Sequence, residues 1–274
     1  MYEQLEEDTS ENNVTALTVK ENSPLNFTCS KDFFRLKSFT FFIFFLNLII
    51  FSIEMIDMYI LNRNRKEECV FYDLGAFYSP KLCEFHFHRL FIAIFLHSSL
   101  EHLINNCFSL PIGMYLENNL GSKNFLKIYF FSGVYGYLLT GIFNSEINLG
   151  SNGCVFGLNG FFIVFYIFNF KKINFITKIF FGYIIYHLMF SILGLLNIFS
   201  AKIDYYVQLG GILTGISLTI IAIGENYDKK SFDENKINVF KKLAFIFLIV
   251  FPIVCYVLIF IKYYGKEEYF NICN

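Results

Sequence analysis

A chain of 274 residues with 55% hydrophobic and only 16% charged side chains lacks the quarter or so of charged residues usual in a soluble domain. Its mean hydropathy is +0.49, and a net charge of −1 offers no basic surface to a nucleic acid. The numbers predict an integral, multi-pass membrane protein; seven Cys without paired spacing suggest no metal, and no cofactor is expected.

Residues 1–37 begin polar and acidic (Glu3, Glu6, Glu7, Asp8, Glu11). They show no signal-peptide pattern and are expected to form a disordered cytosolic tail. Seven apolar stretches follow, over 38–60, 100–118, 125–145, 152–170, 174–197, 205–224 and 243–262. Each is close to the roughly 20 residues that cross a bilayer. They define a membrane domain over 38–262 and a short tail over 263–274. With the N-terminus in the cytosol, the cytosolic side carries 14 Lys and Arg against 8 on the other, the asymmetry expected of inside loops.

The loop over 61–99 is the one large segment on the non-cytosolic side. Its Cys69 and Cys83 are candidates for a disulfide in an oxidising compartment, the alternative being two free thiols. It closes on an apolar run from Phe87 to His97, too short to span and expected to be interfacial or re-entrant.

Polar residues at membrane depth survive inside protein or around water. They gather in three places: His97, His102 and Asn106; Ser151 and Asn152; and Gln208 before Gly210 and Gly211. His102 and Asn106 stand four apart on one helix face, so both can donate to a developing oxyanion. Together the three places predict a hydrated polar chamber open to the non-cytosolic side. His187, within the fifth stretch, is expected to make an ordinary buried polar contact.

Residues 150–160 read Gly-Ser-Asn-Gly-Cys-Val-Phe-Gly-Leu-Asn-Gly. Four glycines on one helix face cost roughly 1 kcal/mol each against alanine. Either they admit a neighbouring helix, or they leave room for an approach to a side chain at the helix start. Gly211 and Gly215 in the sixth stretch would meet Gly153 and Gly157 in the fourth.

In order and spacing these motifs resemble the rhomboid intramembrane serine proteases, over about 74–224. Leu74-Gly75-Ala76 is similar to the family's first-loop signature, and His88-Arg89 stands where the family has Trp-Arg. His97-x4-His102-x3-Asn106 resembles the second-helix pattern, whose last His and Asn serve the oxyanion hole. Glu117-x3-Gly121-Ser122-x2-Phe125, Gly153-Cys154-Val155-Phe156-Gly157 and Gly210-Gly211-x3-Gly215 continue the match. The resemblance implies an all-α membrane fold with a six-helix core and one appended transmembrane helix. It also implies transmembrane segments of client proteins as partners within the lipid bilayer.

Two departures decide the expected activity. The family's Gly-x-Ser-Gly reads Gly150-Ser151-Asn152-Gly153, so Asn152 takes the nucleophile position. The family's catalytic His reads Gln208. Acyl transfer needs a nucleophilic oxygen and a base, and a carboxamide supplies neither. In one serine protease, loss of the Ser or the His costs on the order of 10⁶ in turnover, about 8 kcal/mol of barrier. The resemblance therefore implies a pseudoprotease that binds or routes clients. The alternative is an active endopeptidase with Ser151 as displaced nucleophile, although one helical step turns a side chain by about 100°. A transporter is a third reading, against which the third to sixth stretches carry no charge at their centres.

Overall fold

The computed structural model describes residues 38–169, 204–226 and 234–266, except 63 and 108, with single positions between 178 and 189 and Cys273. The expected tail 1–37, most of the expected span 174–197 and its His187 lie outside the described residues.

Helix α1 covers Phe39–Ile56 and runs into a wider π turn at Asp57–Leu61. Ser38 starts it by accepting from the Phe41 N–H at 3.2 Å. The loop that follows holds α2 (Glu67–Leu74), a 3₁₀ turn (Ser79–Glu84) and α3 (Arg89–Ile92). Arg89 knits this loop together: its Nη1 donates to Tyr72 O and Ala76 O at 2.8 and 2.9 Å. Then come α4 (Leu100–Cys107), α5 (Leu110–Leu120), α6 (Ser122–Phe143), α7 (Asn152–Asn169), α8 (Tyr205–Asn226) and α9 (Glu234–Tyr263). Among the described residues the sole β pairing is an isolated bridge from Phe77 to Asn148, which ties the first loop to the α6–α7 connection. The protein is an all-α integral membrane protein. Four helices, Phe39–Leu61, Ser122–Phe143, Tyr205–Ile223 and Asn235–Tyr263, are long and apolar enough to cross a bilayer, and Asn152–Phe168 is apolar but shorter.

Two expectations need correction. The stretch 100–118 is not one helix but two, α4 and α5, because Ser109 turns back to donate from its hydroxyl to Asn106 O at 2.7 Å. Pro111 then stands in the first turn of α5, where its missing N–H costs no helical bond. The 11 residues of α5 reach about 16 Å, short of a bilayer's apolar core. The second correction concerns the disulfide. Cys69 is bonded to Cys273, with Cα atoms 5.5 Å apart, while Cys83 is a free, buried thiol. The Cys83 Sγ turns toward the Ile259 carbonyl of α9, at 4.0 Å, whereas the Cys69 sulfur meets the C-terminal segment.

The core of the molecule is the trio α6, α7 and α8. Between membrane helices no hydrophobic drive exists, so van der Waals approach has to supply the attraction, and small residues permit it. A Cβ on Gly211 would fall 2.9 Å from Gly153 Cα, and one on Gly215 would fall 2.6 Å from Gly157 Cα. On Gly160 it would meet Ile212 O at 2.7 Å, and on Gly136 Val207 O at 2.6 Å. These backbones touch, and any larger residue would force the helices apart.

The outer helices are held differently. The Glu117 carboxylate accepts from the N–H groups of Phe39 and Thr40, at 2.9 and 3.1 Å, and from the Thr40 hydroxyl at 2.9 Å. It also accepts from Ser122 Oγ at 2.7 Å, so one carboxylate caps the start of α1, where the helix dipole favours an anion, and ties it to the first residue of α6. At the other end of α1, the Glu54 carboxylate accepts from the His97 N–H at 3.1 Å. Helix α9 is fastened by Tyr135 OH, which donates to Leu248 O at 2.7 Å. Lys262 Nζ donates to Ile142 O, also at 2.7 Å.

Candidate functional site

The head of α7 is built on Gly150. Its N–H donates to Ala93 O at 2.8 Å, and its carbonyl accepts from Tyr137 OH at 2.6 Å. Its φ of +114° favours glycine. Space demands glycine as well, because a Cβ there would fall 2.6 Å from His102 Nε2. The imidazole of His102 therefore lies where a side chain at 150 would be. Its ring stands edge-on to His97 at 5.3 Å. Its N–H on the backbone donates to Ser99 Oγ at 3.2 Å, and Ser98 Oγ lies 3.4 Å from Nδ1.

Asn152, the first residue of α7, brings its side chain to the His102 imidazole. His102 Nε2 is buried and has no hydrogen-bond partner among the described residues. Gln208 is buried on α8. The start of that helix is capped by Asp204, whose Oδ1 accepts from the Tyr206 and Val207 N–H groups at 3.1 and 3.3 Å. Thr140 donates its hydroxyl to the same carboxylate. Burial raises the Asp204 pKa while these hydrogen bonds pull it back. A Cβ on Gly153 would stand 3.1 Å from Val207 Cγ1. Asn152 and Gln208 are each one residue removed from that contact.

Ser151 faces another way. It is 2% exposed, lies against the Tyr129 hydroxyl, and lines a small interior cavity with Asn47, Asn106 and Ser109. No His, Lys, Arg or carboxylate stands among the residues lining that cavity. Two polar compartments thus flank the start of α7. One holds His97, His102 and Asn152, and the other Ser151, Asn106 and residues of α1. His102 and Asn106, four apart on α4, divide between them.

A family model described as Rhomboid domain matches residues 84–225, from the end of the 3₁₀ turn to the last residues of α8. The chain belongs to the rhomboid family. This rhomboid is similar to Rhomboid-like protease 1 of Toxoplasma gondii, at 28% identity over 158 residues, covering 57% of this chain and 54% of that protein. It is similar to Rhomboid-like protease 3 of the same organism, at 31% identity over 150 residues, covering 53% and 55%. RHOMBOID-like protein 2 of Arabidopsis thaliana is 32% identical over 142 residues, covering 49% and 42%. The chain spans about half the length of the Toxoplasma relatives it matches.

Sequence reasoning missed the part that α1 plays. Thr40, Asn47 and Glu54 are buried polar residues of an otherwise apolar helix. Their spacing of seven was the signal, because it aligns them on one stripe facing protein rather than lipid. Tyr129 and Tyr137 were also passed over; aromatic residues are so frequent here that none stands out by composition.

Proposed function

We propose that this rhomboid is a pseudoprotease, which binds or routes transmembrane segments of client proteins in the bilayer without cutting them. The carrying observation is the pair of neighbours at the head of α7. Asn152 takes the position of the family's serine, and its carboxamide meets His102. The adjacent hydroxyl, Ser151, is buried against Tyr129 in a cavity without a base. A hydroxyl with no base beside it is not an activated nucleophile. We further infer that the Asn152 and Gln208 carboxamides pair across α7 and α8, each supplying a donor and an acceptor. The Val207–Gly153 contact supports that pairing. Such a bond in a membrane is worth about 0.6 kcal/mol and at most about 2, enough for packing and of no use to chemistry.

The same reading places the N-terminus and the α8–α9 connection in the cytosol, and the first loop with the C-terminal segment on the opposite side. The Lys and Arg bias supports this. So does the bond between Cys69 and Cys273, since both must share one oxidising side.

Co-expression with a standard rhomboid substrate tests the proposal. The expected outcome is no cleavage by the natural chain or by Asn152→Ser or Gln208→His alone, and cleavage by the double variant. Cleavage by the natural chain that Ser151→Ala abolishes would establish the displaced-nucleophile endopeptidase instead.

A further inference from the structure

A small interior cavity of about 30 Å³ lies where α1, the α4–α5 break, α6 and α7 meet. Its polar lining is Thr40, Asn47, Asn106, Ser109, Tyr129 and Ser151, with the Cys107 thiol beside them. Asn47 is 6% exposed and Asn106 7%. Within them, Asn47 Oδ1 and Asn106 Nδ2 are fully buried and have no hydrogen-bond partner among the described residues. Buried amide groups of this kind are nearly always satisfied, and in the hydrocarbon region of a bilayer no bulk water is at hand to do it. One atom is an acceptor and the other a donor.

We propose that this cavity is a hydration site that holds one or two water molecules, bridging α1 to α4 and to the head of α7. A water needs about 10–15 Å³ of such space and two to four polar partners, and both conditions are met. The water accepts from Asn106 Nδ2–H and donates to Asn47 Oδ1. Its remaining bonds are open to the hydroxyls of Ser151 and Tyr129; the Tyr129 hydroxyl already approaches both Ser151 and the Asn47 amide. The lining excludes an ion: it holds no carboxylate for a cation and no cationic side chain for an anion. The site engages the Asn106 amide in an interior network whose lining does not include His102. It does not depend on whether the protein cleaves clients, because the two orphaned amide atoms stand in either case.

The full chain in lipid nanodiscs provides the test, in two arms on the natural sequence. In a density map that resolves the two Asn side chains, a peak is expected at about 2.7–3.2 Å from both Asn47 Oδ1 and Asn106 Nδ2. In infrared difference spectra, a sharp O–H stretching band is expected that shifts on exchange into heavy-oxygen water. Asn47→Leu or Asn106→Leu removes one of the two partners, and loss of the band in whichever variant folds identifies the site. An empty cavity, a direct Asn47–Asn106 bond, or a band indifferent to the isotope would overturn the proposal without bearing on cleavage.

Discussion

The inner helices α6 and α8 and the outer helices α1 and α9 solve the same problem by different physics. In their most apolar windows, 67% of residues in α6 and 61% in α8 are buried inside the protein, against 22% in α1 and 17% in α9. The inner helices reach that burial through glycines that let backbones touch, where dispersion over many atom pairs accumulates. The outer ones show most of their surface to lipid and are held at a few points: a carboxylate cap, a lysine, a tyrosine and one disulfide. A membrane helix does not need extensive protein contact to have a fixed place. It needs either a close face or a few polar tethers that lipid cannot replace.

Replacing a backbone contact should give the largest effect. Gly211→Leu or Gly215→Leu forces α7 and α8 apart, and the loss should lie at or beyond the upper end of the roughly 1–3 kcal/mol typical of overpacking. Gly182, whose built Cβ has nothing within 4 Å among the described residues, is the control: Gly182→Ala should leave accumulation and thermal stability in detergent unchanged or slightly raised. Normal accumulation of both leucine variants would remove the basis of the comparison.

Next is the covalent tether. Cys273→Ser, or reduction, opens a link across 204 residues of sequence and should cost about 2–4 kcal/mol. The C-terminal segment should become accessible to protease while the inner trio stays intact. Thiol labelling should show Cys69 blocked before reduction; equal labelling before and after would contradict the bond.

Glu117→Gln should come third. It weakens four hydrogen bonds to a charged acceptor, each worth about 1.5–3 kcal/mol when lost outright, but a neutral oxygen remains to accept some of them. Hydrogen exchange should quicken at the start of α1 and not at α7. Exchange that quickens uniformly would mean that the cap does not act locally.

The smallest effect concerns the free thiol beside α9. Burial, with the Glu84 charge nearby, raises the Cys83 pKa, so its thiolate is scarcer than usual at any given pH. Alkylation should be slow at neutral pH, and its pH profile should be displaced to higher pH than that of an exposed thiol. A normal thiol profile at Cys83 would show that α9 does not cover it.

Much of this was legible in the chain. Composition alone announced a membrane protein, the apolar stretches marked α1, α6, α7, α8 and α9 to within a few residues except at the start of α9, and the glycine spacing at 153, 157, 211 and 215 carried the approach of α7 to α8. These are local properties, since hydropathy and helical period act over a few turns. The division of the polar residues was not legible, because neighbours in sequence are turned about 100° apart on a helix. Only the packing decides that Asn152 meets His102 while Ser151 joins Asn47 and Tyr129 in a cavity. The partner of Cys69 was likewise beyond reach. A sulfur 204 residues away is brought near only once α9 has docked on the first loop, and no spacing rule contains that distance.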